Sequence, residues 1–397
     1  MISQRVKRIS PSATLAISSK AKEMRRQGID VIDFGVGEPD FDTPDHIKDG
    51  GIKAIEEGFT KYTPAAGIPE LREAICRKLK VDNGLQYTPD QILVSVGAKH
   101  SLYNAVQTLC EDGDEVIIPA PYWVTYPEQV KLAGGVPVIV ETDPEEGFRL
   151  DPDRLAKAVT PRTRLLILNS PQNPSGAVYP AEDLKAIAEI VVENGLYVLS
   201  DEVYEKLVYD GEKHTSIAAL GEEIKRRTVV INGVSKTYAM TGWRIGYAAA
   251  EVEIIKAMAK LQEHLTGNPA SIAQKAAVEA LEGSQKPVAE MITQFAQRRD
   301  YMVERLSSLA GFVCPCPKGA FYAFPNISQW HGKTIQGRRI GDGTDLAAVI
   351  LEEAHVAVVP GTGFGFPDCI RFSYATSMEN IKEGLDRIER LLSGASW

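Results

Sequence analysis

From about Asp45 the chain alternates helix-length amphipathic segments with short β-branched runs, and that rhythm limits the folds open to it more than any other feature. Strands separated by a dozen or more helical residues are the pattern of a parallel sheet whose two faces are covered by crossover helices. The strand candidates are 92–96, 115–119, 136–140, 165–169, 197–200, 229–232 and 246–249, and helix candidates such as 102–110, 126–133 and 181–193 lie between them. Seven strands of this kind predict an α/β fold built on a large, mostly parallel sheet.

The pattern changes after roughly Ser284. A long charged amphipathic stretch, 288–309, is followed by hairpin-like runs at 319–324 and 356–360. The opening residues hold a helix-like segment, 14–27, and a strand-like one, 31–34, that have no place in the βα series. The reading is therefore an N-terminal arm with the first part of a small α+β domain over 1–44, a large domain over 45–284, and the rest of the small domain over 285–397. A length of 397 residues favours such a division over a single core. Residues 336–343, with three glycines and two arginines, read as a polar surface loop.

Composition excludes some function classes. Apolar residues are 44% and charged residues 24% of the chain, ordinary globular usage. A formal net charge of -9 argues against a nucleic-acid partner, which recruits clustered Lys and Arg. Five cysteines form no even ladder. Cys314 and Cys316 lie close together, but each precedes a proline and no histidine is nearby, which argues against zinc. A reducing, cytoplasmic location fits best. The basic start, 1–8, leads into an apolar stretch broken by Ser18, Ser19 and Lys20, too short for a signal peptide. No run reaches the roughly 18 apolar residues of a membrane span.

The chemistry concentrates in Ser235-Lys236-Thr237-Tyr238-Ala239-Met240-Thr241-Gly242-Trp243-Arg244, just after an apolar run. A residue there sits near the carboxyl edge of the sheet, where open α/β sheets bind ligands. A lysine with a lowered pKa can form an imine with an aldehyde cofactor, although a lysine at a strand end is by itself more often a solvated surface residue. Asp201 follows another strand candidate. It reads equally as a helix N-cap or as the carboxylate that keeps a pyridine nitrogen protonated. The segment Asn169-Ser170-Pro171-Gln172-Asn173-Pro174-Ser175-Gly176 is a rigid turn suited to the same edge, and taken alone it is an ordinary loop.

Together these segments resemble the class I, fold-type I aminotransferases over essentially the whole chain. The order Asn173, Asp201, Tyr204, Lys236, Arg244, Arg371, with spacings of 28, 3, 32, 8 and 127 residues, carries the resemblance. It implies pyridoxal 5'-phosphate held on Lys236, which also moves the proton of the substrate α-carbon. It implies Asp201 at the pyridinium nitrogen, and Tyr204 and Asn173 at the 3-oxygen. Ser235, Arg244 and the amides of Ala98 and Lys99 would hold the phosphate, consistent with an arginine fork and a helix N-terminus facing an anion. Trp123 would stack on the ring, while Arg371 and Gly37 would take the α-carboxylate. Tyr62 and Asn268 match positions that reach the neighbouring subunit, which implies a homodimer.

The resemblance is greatest to the bacterial subgroup of aspartate and aspartate/prephenate aminotransferases, through 11–14, 121–127 and 239–247. The implied substrates are small amino acids and 2-oxo acids, with aspartate and 2-oxoglutarate favoured. Lys99, assisted by Ser12 and Thr14, is the candidate for the distal carboxylate. Animal-type relatives use an arginine from the partner chain near the place where Glu263 falls here, and the bacterial subgroup resembled lacks that arginine too, so aspartate stays favoured. Prephenate-active members have a basic residue where this chain has Ser10, so that activity stays open. A β-lyase or an aromatic aminotransferase is the alternative within the same cofactor class. A cofactor-binding regulator lacks room for a DNA-binding module, and no G-x-G-x-x-G supports a nicotinamide dehydrogenase.

Overall fold

All seven expected strands join one sheet. The computed structural model describes residues 2–11 and 13–394. In chain order its strands are β1 (Ile32–Asp33), β2 (Ile92–Ser95), β3 (Glu115–Ala120), β4 (Val136–Glu141), β5 (Thr163–Asn169), β6 (Tyr197–Asp201), β7 (Thr228–Gly233) and β8 (Gly246–Ala249), followed by β9 (Tyr322–Ala323), β10 (Thr334–Ile335), β11 (Arg338–Arg339), β12 (Val356–Ala357), β13 (Val359–Pro360) and β14 (Ile370–Ser373). The large sheet has the order β2-β8-β7-β6-β5-β3-β4. Only β8 runs against its neighbours, so the sheet is mixed and mostly parallel, as expected.

Burial explains the sequence pattern. β3 and β7 are buried at every position, because helices such as Ala98–Leu109 and Ala181–Glu193 cover the two faces, and a strand buried on both sides needs a continuous apolar run. The edge strand β4 is the exception, with Val136 47% and Ile139 41% exposed. Helix boundaries follow local chemistry. Pro69–Asn83 starts on a proline and stops at Gly84 in the left-handed region, φ 68°, the asymmetry expected of helix ends.

The C-terminal part corrects three expectations. The runs at 319–324 and 356–360 are not hairpins in themselves. β9 pairs with β14, some fifty residues on, and the second run divides at Val358 into β12, which pairs with β1, and β13, which pairs with β14. Residues 336–343 are not wholly a loop either: Gln336 and Gly337, at φ 49° and 77°, make the tight turn of the β10–β11 hairpin, the geometry that matches strand twist, and Gly343 opens the helix Gly343–Glu353.

The N-terminal segment packs on this C-terminal part. Ile32 pairs with Val356, the Ser373 amide donates to the Phe34 carbonyl at 2.8 Å, and the Phe34 and Phe372 rings lie 6.1 Å apart. One apolar cluster nevertheless runs from Ile68 and Tyr204 through Phe295 and Phe321 to Ile388, so the core is continuous across Ser284. Phe295, fully buried on the helix Lys286–Ser308, touches Phe41 edge-on at 5.3 Å and Phe321 at 5.6 Å, joining three distant stretches of chain. Phe295→Ala should cost about 3–5 kcal/mol through the cavity it leaves, measured as a lowered urea midpoint. A loss below about 1 kcal/mol would show that this ring does not bridge them.

Candidate functional site

Neighbouring parallel strands deliver the chemistry to one edge. In register, Asn169 of β5 lies beside Asp201 of β6, and Asp201 beside Ile231 of β7, so their carboxyl ends finish at the same level, one interstrand spacing apart. β7 ends at Gly233, and Ser235 and Lys236 follow in the turn beyond it. A cavity of about 560 Å³ opens there, lined by Asp201, Tyr204, Asn173, Ser235, Lys236, Arg244, Ala98, Lys99, Trp123, Gly37, Arg371 and Thr14. Six cationic side chains and three acidic ones line it (Lys22, Arg25, Lys99, Lys236, Arg244, Arg371 against Asp33, Glu38, Asp201). That surplus suits a ligand carrying several negative charges.

Asp201 is buried. Its Oδ2 accepts from the Tyr126 hydroxyl at 2.6 Å and its Oδ1 from the Val203 amide at 3.4 Å. Burial pushes its carboxyl up to about 6, and these two donors restrain the rise. Lys236 Nζ donates to the Gly37 carbonyl at 2.6 Å. Burial pulls this amine down to about 8, against the attraction of Glu38 and with the help of Arg244 and Arg371. An amine so placed is neutral to about one part in ten at pH 7, against less than about one part in a thousand for an ordinary lysine, and only the neutral form is nucleophilic.

The remaining residues form three groups. Tyr204 shares a hydrogen bond with Tyr322 at 2.8 Å; burial raises both phenols, so both stay protonated. Arg371, only 2% exposed, donates from Nη1 to Asn173 Oδ1 at 2.9 Å and from Nη2 to the Gly35 carbonyl at 2.8 Å, while its Nε meets no partner among the described residues. Its guanidinium lies 4.4 Å from the Tyr322 ring centre. At the opposite end, the helix Ala98–Leu109 begins beside Arg244, whose Nη1 donates to the Thr241 carbonyl at 2.7 Å. Two glycines make this approach possible. Gly97, at φ +81°, leaves no room for a Cβ, which would lie 2.3 Å from Arg244 Nη2, and a Cβ on Gly246 would fall 2.1 Å from the Ala98 nitrogen.

The chain alone does not bring every candidate to the cavity. Tyr62 is 98% exposed and Asn268 donates to the Pro269 carbonyl at 2.7 Å; neither lines the cavity. Ser12 lies outside the described residues, though Thr14 lines the cavity, and Ser10 donates its amide to Glu128 Oε2 at 2.9 Å. Lys99 Nζ sits 4.7 Å over the Trp123 ring, at the junction with an adjoining hollow of about 970 Å³ that also holds Ser10, Pro11 and Arg244. Among the residues in contact with the candidates, the sequence reading missed Gly35, Tyr126 and Tyr322. Tyr126 lies in the first turn of the helix Thr125–Leu132, and its ring meets edge-on, at 5.6 Å, that of Trp123, which lies just before the helix. Tyr322 meets Tyr204 across 118 residues, and no local pattern announces that.

Pyridoxal phosphate asks for a nucleophilic amine, a buried acid, donors for an oxygen and an anion cradle, and the residues present fit it. The lowered amine of Lys236, the buried Asp201, the protonated Tyr204 and the helix start packed against Arg244 supply those groups.

Comparison with known proteins agrees. The family described as aminotransferase class I and II matches residues 29–388, so the chain belongs to that family and is an aminotransferase with the fold-type I architecture. It is 53% identical over 391 residues to an aspartate aminotransferase of Geobacillus stearothermophilus, covering 98% of each chain. It is 49% identical to an aspartate/prephenate aminotransferase of Cereibacter sphaeroides, covering 100% of this chain and 99% of that one. The crystal structure of an aspartate aminotransferase from Rhizobium meliloti superposes with a TM-score of 0.97 at 46% identity over the whole of both chains.

Trace acetylation at a series of pH values tests the environment of the amine. Labelling of Lys236 in the cofactor-free protein should rise with pH and be half-maximal near 8, the value to which burial lowers it, because acylation requires the unprotonated form. A midpoint near that of an ordinary lysine, about 10.4, would show that the amine is solvated.

Proposed function

We propose that the chain is a pyridoxal-phosphate-dependent aspartate aminotransferase that passes the amino group of L-aspartate to 2-oxoglutarate in two half-reactions. The observation that carries this reading is the enclosure of a lowered amine, Lys236, and a raised acid, Asp201, in one cation-rich cavity. When bound, the cofactor supplies an aldehyde that takes up amino groups and a ring that accepts the electron pair of a broken Cα–H bond. Lys236 removes the α-proton of the amino acid as a general base and returns a proton in the reverse direction. Asp201 holds a proton at the ring nitrogen, and Tyr204 and Asn173 serve the 3-oxygen. Ser235, Arg244 and the Ala98 and Lys99 amides hold the phosphate, and Trp123 covers the ring.

Arg371 takes the α-carboxylate beside Gly37. The Asn173 and Gly35 bonds fix its planar fork, which a lysine would not reproduce. Lys99, with Ser12 and Thr14, takes the distal carboxylate. Tyr62 and Asn268 act in a partner's site, so the working unit is a homodimer; the near-complete exposure of Tyr62 supports this. Segments 1–44 and 285–397 serve as the small domain against 45–284. The five free cysteines favour a cytoplasmic enzyme. Action on prephenate is the second reading, favoured by the names of relatives such as the Cereibacter enzyme.

Lys236→Ala should lower kcat by about 10³-fold or more with an unchanged melting temperature. Substantial aspartate-to-2-oxoglutarate transfer by that variant would overturn the role. In spectroscopic half-reactions, aspartate and glutamate should convert the cofactor faster than alanine or phenylalanine; the reverse order would remove Lys99 from the distal-carboxylate role.

A further inference from the structure

Behind Asp201 and Tyr204 lies a buried polar cluster that the reaction as described does not use. The segment 202–206, directly after Asp201, has no regular secondary structure, yet it carries Tyr204. Its other carboxylates turn away from the cavity and anchor it. Strand alternation sends Ser200 and Glu202 to the side opposite Asp201. Glu205 meets Lys78 in a close ion pair and accepts from Asn83 at 2.8 Å. Lys78 and Lys206 in turn flank Asp82, at 3.7 and 2.8 Å.

Glu202 is different. It is fully buried, and among the described residues its sole ion-pair neighbour is His214, 3.0 Å from Oε2. Oε1 accepts from the Ser200 hydroxyl at 2.7 Å and the Ser216 hydroxyl at 2.6 Å. Two hydroxyl donors on one oxygen, with the His214 nitrogen donating to the other in its Nε2–H tautomer, suit an ionised carboxylate. Nδ1 of His214 is buried with no partner. A neutral ring with its hydrogen on Nε2 leaves only a lone pair there, whereas a cationic ring would bury an unsatisfied N–H at greater cost. In that tautomer the pair carries a net negative charge one residue from Asp201, while Glu205, with a carboxylate oxygen within 4.8 Å of both groups, is matched by Lys78. Keeping a carboxylate buried without a Lys or Arg is expensive, and an amide of the same shape would have made similar hydrogen bonds.

We propose that Glu202, held by Ser200, Ser216 and His214, is a positioning residue whose buried charge sets the electrostatic field at the Asp201 end of the cofactor site. The charge favours positive charge in the cavity in front of Asp201. It also raises the proton affinity of Asp201 itself and of the Tyr87 and Tyr247 phenols. This inference rests on the cofactor reading above.

The test is the pH titration of the visible absorption band of the pyridoxal-phosphate-loaded protein, whose midpoint follows protonation of the cofactor's link to lysine. Glu202→Gln keeps volume and removes the charge, so the midpoint should fall by about half a unit or more. His214→Lys cancels the same charge by a second route and should move the midpoint the same way, while His214→Gln, which keeps a donor toward Glu202, should leave it in place. A midpoint unchanged in Glu202→Gln or in His214→Lys, with only a lower melting temperature, makes the cluster purely structural and overturns the inference alone. A wild-type protein that develops no band overturns the cofactor reading and this one with it.

Discussion

The structure turns on the burial of an amine and a carboxylate that share one cavity. Neither Lys236 nor Asp201 is in its ordinary protonation range, and in both the largest cause is loss of water. Burial disfavours the charged form of each, so the acid is more basic than in solution and more of the amine is in its unprotonated, nucleophilic form. The parallel register of β5, β6 and β7 makes this possible, because it ends Asn169, Asp201 and the run into Lys236 at one level. Such perturbed pairs are characteristic of functional sites.

The N-terminal segment closes this arrangement from the other side. Carbonyls of Gly35 and Gly37 accept from Arg371 and Lys236 respectively, and β1, just before them, pairs with β12 of the C-terminal part. Thus the group proposed for the substrate carboxylate and the group proposed for the proton are both tied to a short strap. The strap belongs to neither half of the large sheet. Asp33, whose Oδ1 accepts from the Gly35 amide at 2.9 Å, fixes the strap; burial raises its carboxyl despite Arg25 and Lys22 nearby.

Much of this was legible in the sequence because the large sheet is encoded locally. Its strands are short, largely apolar runs of a length suited to burial between helices, and the residues at the strand ends follow directly. Lys236, Asp201 and Asn173 could be located that way, and their roles came from the spacing of a family pattern. The small strands were not legible. β9, β12 and β13 are two residues each, and the partners of β9 and β12 lie far along the chain, so no local period marks where they begin. The same distance hid Tyr322. Glu202 was hidden for another reason: beside Asp201 it reads as one more acidic residue, and only the converging serines and histidine show that it is buried.

Covalent mapping addresses the proposed bond to the cofactor most directly. The protein is loaded with pyridoxal phosphate, reduced with borohydride, digested and mapped by mass spectrometry. The expected result is one modified residue, Lys236, with the mark lost in Lys236→Ala. Modification of Lys99 in its place, or of no lysine at all, would contradict the assignment.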